Sequence, residues 1–220
     1  MRALRVAVGL LPHSAVKLWL LRHLLGWRIG PGCYVAPIIA DVRHASLGRG
    51  ARIGAGNVFR NLETLTMGAG AHIGHWNQIT AAPGFSGAPG NCSLTMDVEA
   101  GITSAHYLDC SGSITIGTYA VIGGRRCTLL THQADYVNEW VVAEPIRIGD
   151  YTLIQSNVCV TPGRTIAARA IVAMGAVVAK DLLSEAMLYA GVPAVPKKPV
   201  HGGWFTRTAG HWPARAGVGR

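Results

Sequence analysis

The stretch from Ile146 to Lys180 places an aliphatic residue at every sixth position. These residues are Ile148, Ile154, Val160, Ile166, Val172 and Val178. Mostly small or β-branched residues lie four positions after the first five of them, at Thr152, Val158, Arg164, Ala170 and Ala176. A period of six matches neither the α-helical turn nor the two-residue alternation of a strand. It predicts short strands joined by tight corners, a parallel β-helix whose coils stack about 4.8 Å apart.

The same period recurs upstream, where an aliphatic residue followed by glycine opens each repeat. These repeats run from Ile29-Gly30 to Val35, from Leu47-Gly48 through Ile53 to Phe59, from Met67-Gly68 through Ile73 to Ile79, and from Ile116-Gly117 through Ile122 to Thr128. The pattern lapses at 37–43, 62–66 and 94–113, where we expect the repeats to be interrupted. An ordinary Gly-rich all-β domain is the alternative. Six repeats in one phase after Ile146, with four further runs of the same period upstream, disfavour it.

Residues 1–28 lack the repeat and predict an amphipathic helical cap. Between Ser14 and Leu25 the apolar residues follow helical spacing, at Ala15, Leu18, Trp19, Leu21, Leu24 and Leu25. Interspersed basic residues leave no apolar run of about 18 residues, so a membrane span is not expected. The run Val6–Leu11 is short for a signal peptide. The helix is expected to cap the open end of the β-helix; the alternative is that it rests on a membrane interface.

The repeats define one all-β domain at 29–181, with two inserted loops. The loop at 81–93 is rich in Gly, Pro and Ala, whereas the loop at 133–145 is polar and aromatic. Loops held on a rigid scaffold are where catalytic residues are commonly found. Residues 182–220 are expected to form a short helix at Leu182–Leu188 and a loosely ordered basic tail from Lys197.

The charge of the chain favours an anionic partner. The formal net charge is +9 over 220 residues, and basic residues gather at both ends: Arg2, Arg5, Lys17, Arg22, Arg28, Lys197, Lys198, Arg207, Arg215 and Arg220. A phosphorylated cofactor, a membrane surface or nucleic acid would fit this charge, although no nucleic-acid-binding motif is present. Solvated basic tails are an equal alternative.

The cysteines indicate a reducing compartment. There are 5, an odd number, and none is spaced as Cys-x-x-Cys. This pattern predicts a reduced, cytoplasmic protein without a disulfide framework or a zinc site.

His132 is the first candidate for chemistry because it ends a predicted strand directly before the polar loop. An imidazole held there can act as a general base near neutral pH; the alternative is a polar residue at a strand exit. His106 and Asp109 form a second candidate, in which Asp109 orients an imidazole, binds a sugar hydroxyl or caps a turn. The chain contains neither a Gly-x-Ser-x-Gly motif nor a Walker loop, so direct transfer with a histidine base is favoured.

The chain resembles the left-handed β-helix, or hexapeptide-repeat, acyltransferases, and within them the branch that acetylates sugars and exopolysaccharide precursors. The resemblance is carried by Thr131-His132 and its following loop, by the six-residue ladder, and by the segments 145–150, 173–181 and 191–194. It implies the left hand of the coil, a homotrimer with active sites between subunits, and acetyl-CoA as co-substrate without a metal. His132 matches the base of this family.

The resemblance also implies residues that bind CoA. Ser156, Ala173 and Gly175 match the positions that hold the pantetheine arm and thioester, and Lys180 is placed to meet the phosphates, with Arg164 and Arg169 as weaker candidates. Two departures weaken the donor assignment, because Leu153 stands where many relatives have Trp and Gln155 replaces a Gly.

The function that the sequence favours is acetyl-CoA-dependent O-acetylation of a sugar, on a polysaccharide or glycolipid precursor. The alternatives are N-acylation of an amino sugar and a non-catalytic sugar-binding scaffold. A γ-class carbonic anhydrase is disfavoured because no two histidines are five residues apart. We expect a cytoplasmic protein, with peripheral contact to the inner membrane face as an option.

Overall fold

The structure, a computed structural model, describes residues 1–208. Two helices, α1 (Arg2–Leu10) and α2 (Ala15–His23), precede a long series of short strands. The first strands are β1 (Arg28–Ile29), β2 (Tyr34–Val35), β3 (Ile39–Leu47), β4 (Arg52–Ile53), β5 (Val58–Met67), β6 (His72–Ile73), β7 (Gln78–Thr80), β8 (Ser93–Met96), β9 (Gly101–Ile102), β10 (Tyr107–Asp109) and β11 (Ser113–Ile116).

The remaining strands complete the coil and add two hairpins. They are β12 (Val121–Ile122), β13 (Thr128–Leu129), β14 (His132–Asp135), β15 (Trp140–Ala143), β16 (Ile146–Ile148), β17 (Leu153–Ile154), β18 (Cys159–Val160), β19 (Thr165–Ile166), β20 (Ile171–Val172), β21 (Val177–Val178), β22 (Met187–Ala190) and β23 (Val195–Pro199). Single 3₁₀ turns lie at Pro83–Phe85 and Gly203–Thr206.

The strands form a triangular prism. Face 1 is the 9-stranded sheet β2-β4-β6-β9-β12-β17-β20-β22-β23. The 12-stranded sheet bends into two faces, because the first residues of β5 pair with β7 and its last residues pair with β8. Face 2 contains β7, β10, β13, β18 and β21, and face 3 contains β1, β8, β11, β16 and β19. The chain runs repeatedly from face 3 to face 1 to face 2, so its coils are parallel.

Inward-facing aliphatic side chains fill the prism in ladders, one rung per coil. On face 1 the buried rungs are Val35, Ile53, Ile73, Ile102, Ile122, Ile154 and Val172. Face 2 continues this core with Phe59, Ile79, Leu108, Leu129, Val160 and Val178. Thr128 was predicted as a rung, but Leu129 takes that place because the corner after Ile122 is one residue longer.

None of the three predicted interruptions breaks the coil. Strands β3 and β5 run through 39–47 and 58–67 without a break and carry the chain around a corner in extended conformation. Asn61 makes this turn possible in β5, with a φ of 57°, a conformation that asparagine tolerates better than most residues. The interval 94–113 is likewise a regular coil, formed by β8, β9 and β10 and the start of β11.

The N-terminal helices cover the open end of the prism. Val8 of α1 and Leu21 of α2 are buried in the core, as is Trp27. Lys17 is also fully buried, and its ammonium donates to the carbonyl oxygens of Gly9 (2.7 Å), Leu11 (2.9 Å) and Ala36 (2.7 Å). Burial lowers the pKa of Lys17 to about 8. Among residues 1–208, neither helix has the length and hydropathy that a membrane-spanning segment requires.

The C-terminal segment differs from the prediction. Residues 182–188 form no helix; Leu182 bridges to Ile166 on face 3, and β22 adds Tyr189 to face 1. Both side chains are buried, because they continue the inward ladders and so hold the chain extended. Lys197 and Lys198 lie in β23 rather than in a loose tail. Arg215 and Arg220 lie outside the described residues.

Candidate active site

Both inserted segments leave the prism at the edge between faces 2 and 3, here called edge 2–3. The loop at 81–92 connects β7 to β8, and the hairpin β14–β15 connects β13 to β16. Asp109 is the last residue of β10, and His132 is the first residue of β14. Because these residues leave face 2 in successive coils, their side chains meet at this edge although 23 positions separate them.

His132 and Asp109 form a hydrogen-bonded pair. The imidazole Nδ1 lies 2.8 Å from Asp109 Oδ2. The carboxylate is buried, with 1% of the residue exposed, whereas the His132 side chain is 34% exposed. A buried carboxylate behind a partly exposed imidazole is the arrangement that orients a catalytic histidine.

Short hydrogen bonds keep Asp109 ionised. Ser111 Oγ donates to Oδ1 (2.5 Å), the Thr131 amide donates to Oδ2 (2.9 Å), and the Thr131 hydroxyl lies 3.0 Å from Oδ2. Burial raises the pKa of the Asp109 carboxyl, but the hydrogen bonds from Ser111, His132 and Thr131 outweigh it and hold the pKa below its ordinary value. Since an ionised carboxylate only accepts, Nδ1 of His132 must carry the proton.

The free nitrogen of His132 therefore has the properties of a base. With the proton on Nδ1, the neutral ring keeps a lone pair on Nε2. Within residues 1–208, Nε2 makes no hydrogen bond. Phe85, from the loop at 81–92, packs near the ring with centroids 5.9 Å apart. The imidazole is thus held by a carboxylate on one side and an aromatic ring on another, with Nε2 free to accept a proton.

Ser111 and Thr131 connect this pair to the surrounding backbone. Ser111 Oγ accepts from the amide of Ala82 (2.9 Å), which fixes the start of the loop at 81–92. Thr131 Oγ1 accepts from the amide of Gly112 (2.8 Å). Sequence reasoning missed Ser111 and Phe85; the Asp-x-Ser spacing of 109–111, typical of a side-chain-capped turn, was the available signal for Ser111.

The hairpin that begins at His132 is an antiparallel pair, β14 and β15, closed by a capped turn. In its register His132 faces Ala143, and Ala134 faces Val141, so these four residues share one side. Asp135 caps the turn, accepting from the amides of Val137 and Asn138, each at 3.1 Å. The side that carries His132 is therefore lined by small and aliphatic residues.

His106 lies elsewhere, at the edge between faces 1 and 2, here called edge 1–2. Its Nδ1 accepts from the Cys127 amide (3.1 Å), so Nε2 carries the proton and donates to Thr103 Oγ1 (2.9 Å). Burial lowers the pKa of His106 to about 4. Both ring nitrogens are engaged inside the coil, which leaves no free base. Asp109 therefore pairs with His132 and not, as the sequence suggested, with His106.

Asparagines occupy the corresponding corners of the preceding coils. Asn77 donates to Asn57 Oδ1, and Asn77 Oδ1 in turn accepts from the amide of His106, at 2.9 Å each. His106 is the next rung of this polar ladder, which stabilises edge 1–2.

The residues expected to bind CoA divide between two edges. Arg164 and Lys180 follow β18 and β21 at edge 2–3, one and two coils beyond His132. Ser156, Ala173 and Gly175 lie at edge 1–2, across a face about 15–20 Å wide. Arg169 is at neither edge, since it lies between β19 and β20 and pairs with Glu185.

Two of the amides expected to hold the thioester are already used. The amide of Ala173 donates to Tyr189 O (2.8 Å), and that of Gly175 donates to Ser156 O (3.0 Å). These two amides are therefore not free to bind CoA. Ala173 and Gly175 would contribute by their small size, which lets CoA approach the coil closely. The described part of the chain contains no cluster of His, Cys, Asp and Glu suited to a metal ion.

The sequence and the fold were compared with those of known proteins. No protein-family model matches the chain, and no curated protein is similar in sequence. One similar solved structure is a mutant of AntD, an N-acyltransferase from Bacillus cereus, in complex with dTDP-4-amino-4,6-dideoxyglucose and coenzyme A. Its TM-score is 0.60 at 14% identity, covering 87% of this chain and 92% of that one.

A second similar structure is the polysialic acid O-acetyltransferase OatWY. It has a TM-score of 0.53 at 14% identity and covers 80% of this chain and 90% of that one. The fold is the left-handed parallel β-helix. At this identity the likeness shows the fold alone, and the predicted fold class is confirmed. Both proteins transfer acyl groups, as do the enzymes that the sequence resembles.

Proposed function

We propose that the protein transfers an acetyl group from acetyl-CoA to a hydroxyl of a saccharide, with His132 as the general base. The observation that carries this proposal is the hydrogen bond between His132 Nδ1 and the ionised Asp109, which leaves Nε2 as the proton acceptor. N-acylation of an amino sugar, for which His132 would accept the proton that the amine loses, is one alternative, and a scaffold that binds sugar without turnover is another.

The proposed reaction is a direct displacement. Nε2 of His132 takes the proton of the acceptor hydroxyl as its oxygen attacks the thioester carbonyl carbon. The tetrahedral adduct then expels sulfur, and the imidazolium returns the proton to give CoA thiol and the acetyl ester. Asp109 stabilises the imidazolium through its charge, and no nucleophilic residue or metal is required. A base of this kind contributes about 10²–10⁴-fold to the rate.

A second copy of the chain would complete the donor site. Arg164 and Lys180 share an edge with His132, whereas Ser156, Ala173 and Gly175 lie on another edge of the same prism. A single CoA can contact both sets more readily when edge 2–3 of one copy faces edge 1–2 of another. We therefore propose a homotrimer, in which each copy presents both edges to its neighbours.

Binding of CoA is the first test. Excess CoA or acetyl-CoA at about 100 times its dissociation constant is expected to add about 2.7 kcal/mol, raising the melting temperature by about 5–10 °C. Lys180→Gln and Arg164→Gln should reduce this shift, because they remove charges expected to meet the phosphates.

The control is Arg147→Gln, which removes an exposed arginine of face 3 and should keep the full shift. A folded protein that shows no shift with either compound would favour the scaffold instead.

The N-terminal cap is proposed to rest on an anionic membrane surface. Val16, Trp19 and Leu24 project outward from the cap, with Trp19 57% exposed. The cap, residues 1–28, contains five basic residues and no acidic one, of which Lys17 is buried and Arg2 and Arg5 pair with Asp41. An apolar, Trp-bearing helix with only positive charge suits the interface of anionic lipids. The proposed compartment is the cytoplasm, in keeping with 5 free thiols.

Sedimentation with lipid vesicles tests this contact. The protein should pellet with vesicles containing phosphatidylglycerol and remain in the supernatant with phosphatidylcholine alone. Trp19→Ser should lose most of the binding. The matched control is Trp76→Asn, which removes another exposed tryptophan while suiting its φ of 60°. Equal loss in both variants would refute an interface specific to the cap.

A further inference from the structure

A basic trough lies where the N-terminal cap meets faces 2 and 3. It consists of adjoining cavities of about 180, 420 and 350 Å³. The first and second share Arg5 and Arg43, and the second and third share Gly26 and His44. The charged residues that line the trough are Arg2, Arg5, Arg28, Arg43, Asp41 and Glu63. The arginines exceed the carboxylates, so the trough is net positive.

The carboxylates position the arginines. Asp41, itself buried, accepts from Arg2 Nε (2.9 Å) and Arg5 Nη1 (3.3 Å), and its Oδ2 also accepts from the amide of Asn61. Glu63 pairs with Arg43 at 3.2 Å. Only one nitrogen of each guanidinium is used in these ion pairs. The side chains of Arg2 and Arg43 are 61% and 60% exposed, so the remaining donors of their planar forks are available to an oxyanion.

The trough is physically connected to His132. Pro83 and Ser86 of the loop at 81–92 line its first cavity, and Phe85 of the same short turn packs against the imidazole. Asn61 and Glu63 lie at edge 2–3, the edge that carries His132. Glu63 and its partner Arg43 precede His132 by three and four coils, about 15–20 Å along this edge. This distance is that of a few sugar units, so one extended acceptor could occupy both places.

We propose that this trough binds an anionic group of the acceptor, so that the acceptor is an acidic or phosphate-linked saccharide. The inference rests on the proposed transferase function and narrows its substrate class. The arginine forks would hold a phosphate or carboxylate of the acceptor while the hydroxyl to be acylated lies at Nε2 of His132. The shared chemistry is an oxyanion, and the two sources are separable by experiment.

Direct binding tests the trough without requiring turnover. Titration calorimetry on the full chain would use inorganic pyrophosphate as the phosphate probe and oligogalacturonate as the carboxylate probe, at low and moderate salt. At least one probe should bind, more weakly as salt rises. The double variant Arg2→Gln, Arg43→Gln should lose at least about tenfold in affinity, since each removes a charge-assisted hydrogen bond.

Arg147→Gln is the matched control, because it removes one exposed arginine from face 3 outside the trough. It should leave the affinity for the probe unchanged. The trough is refuted if neither probe binds, if the double variant keeps its affinity, or if the control loses as much affinity as the double variant. Probe binding by a chain that transfers no acetyl group would keep the trough and reject the transferase, so the two failures are distinguishable. The probe that binds more tightly identifies the source of the oxyanion.

Discussion

Replacing His132 with glutamine should lower the rate of acetyl transfer about 10²–10⁴-fold. Glutamine is similar in size and can still hydrogen-bond to Asp109, but it offers no nitrogen that accepts a proton from a hydroxyl. The loss should fall on the chemical step, so it should appear in single-turnover measurements with saturating acetyl-CoA and saccharide. Binding of CoA, followed by the thermal shift, should be retained because Asp109 and the coil remain in place.

His106→Asn is the matched control for this prediction. Asparagine already fills the equivalent corner at Asn57 and Asn77, so the variant should fold, with a lower melting temperature from the lost contacts of the imidazole. Its transfer rate should stay within a few-fold of the unaltered protein. If His106→Asn abolished transfer while His132→Gln did not, the assignment of the base would be wrong.

The sequence predicted the fold where burial dictates the residue. Each coil must place an aliphatic side chain inward on every face, so the period of six is a direct consequence of stacking. The interval 94–113 was misjudged because the repeats were recognised by a glycine after the aliphatic residue. Met96, Ile102 and Leu108 keep the phase, yet Asp97 and Thr103 follow the first two. The inward position must be an aliphatic residue, whereas the position after it, at the corner, accommodates several residue types, here Gly, Asp and Thr.

The candidate site was predictable only in part, because it depends on which coils are adjacent. His132 could be singled out from its position before an insertion. Its partnership with Asp109 requires the knowledge that both residues leave face 2 at the same edge in adjacent coils. The sequence instead grouped Asp109 with nearby His106, whose side chain points to the other edge of the same face. His106 and Asp109 are only three residues apart, yet they lie at opposite edges of face 2, because β10 crosses the face between them. Closeness in sequence therefore did not mean closeness of their side chains.

The C-terminal segment shows the opposite effect, in which tertiary packing overrides a local pattern. Leu182–Leu188 has a composition compatible with a helix, but Leu182 and Tyr189 complete ladders on faces 3 and 1. The Tyr189 hydroxyl also bonds to the backbone of Ser184 at both its amide and its carbonyl, at 2.8 Å each. These contacts stabilise the extended conformation of the segment, and a helix at the same residues would lose them.

Replacing Asp109 with asparagine should reduce transfer about as severely, by about 10²–10⁴-fold, through the orientation of His132. An asparagine that presents its amide nitrogen to Nδ1 would move the proton to Nε2, leaving no base at the reacting position. If it presents its oxygen instead, its nitrogen meets the Ser111 hydroxyl. The imidazolium would lose its counter-charge in either case. Because Asp109 acts through His132, the activity lost should be accompanied by a changed pH–rate profile.

Stability provides an independent readout of the same substitution. The pKa of Asp109 is lowered in the folded protein, so its ionised form contributes stability that is present above the unfolded pKa and lost as pH falls through the folded one. The melting temperature of Asp109→Asn should therefore lie well below that of the unaltered protein at neutral pH, and the gap should narrow below about pH 4.

The control is Asp135→Asn, at an exposed turn whose capping role asparagine can also fill; it should keep transfer within a few-fold. A full transfer rate in Asp109→Asn would show that His132 is oriented by the surrounding coil alone, because no other carboxylate contacts its ring within residues 1–208. A gap in melting temperature that stayed constant with pH would show that the charge of Asp109 contributes nothing to folding. The two measurements thus separate the role of this carboxylate in positioning the base from its role in holding edge 2–3 together.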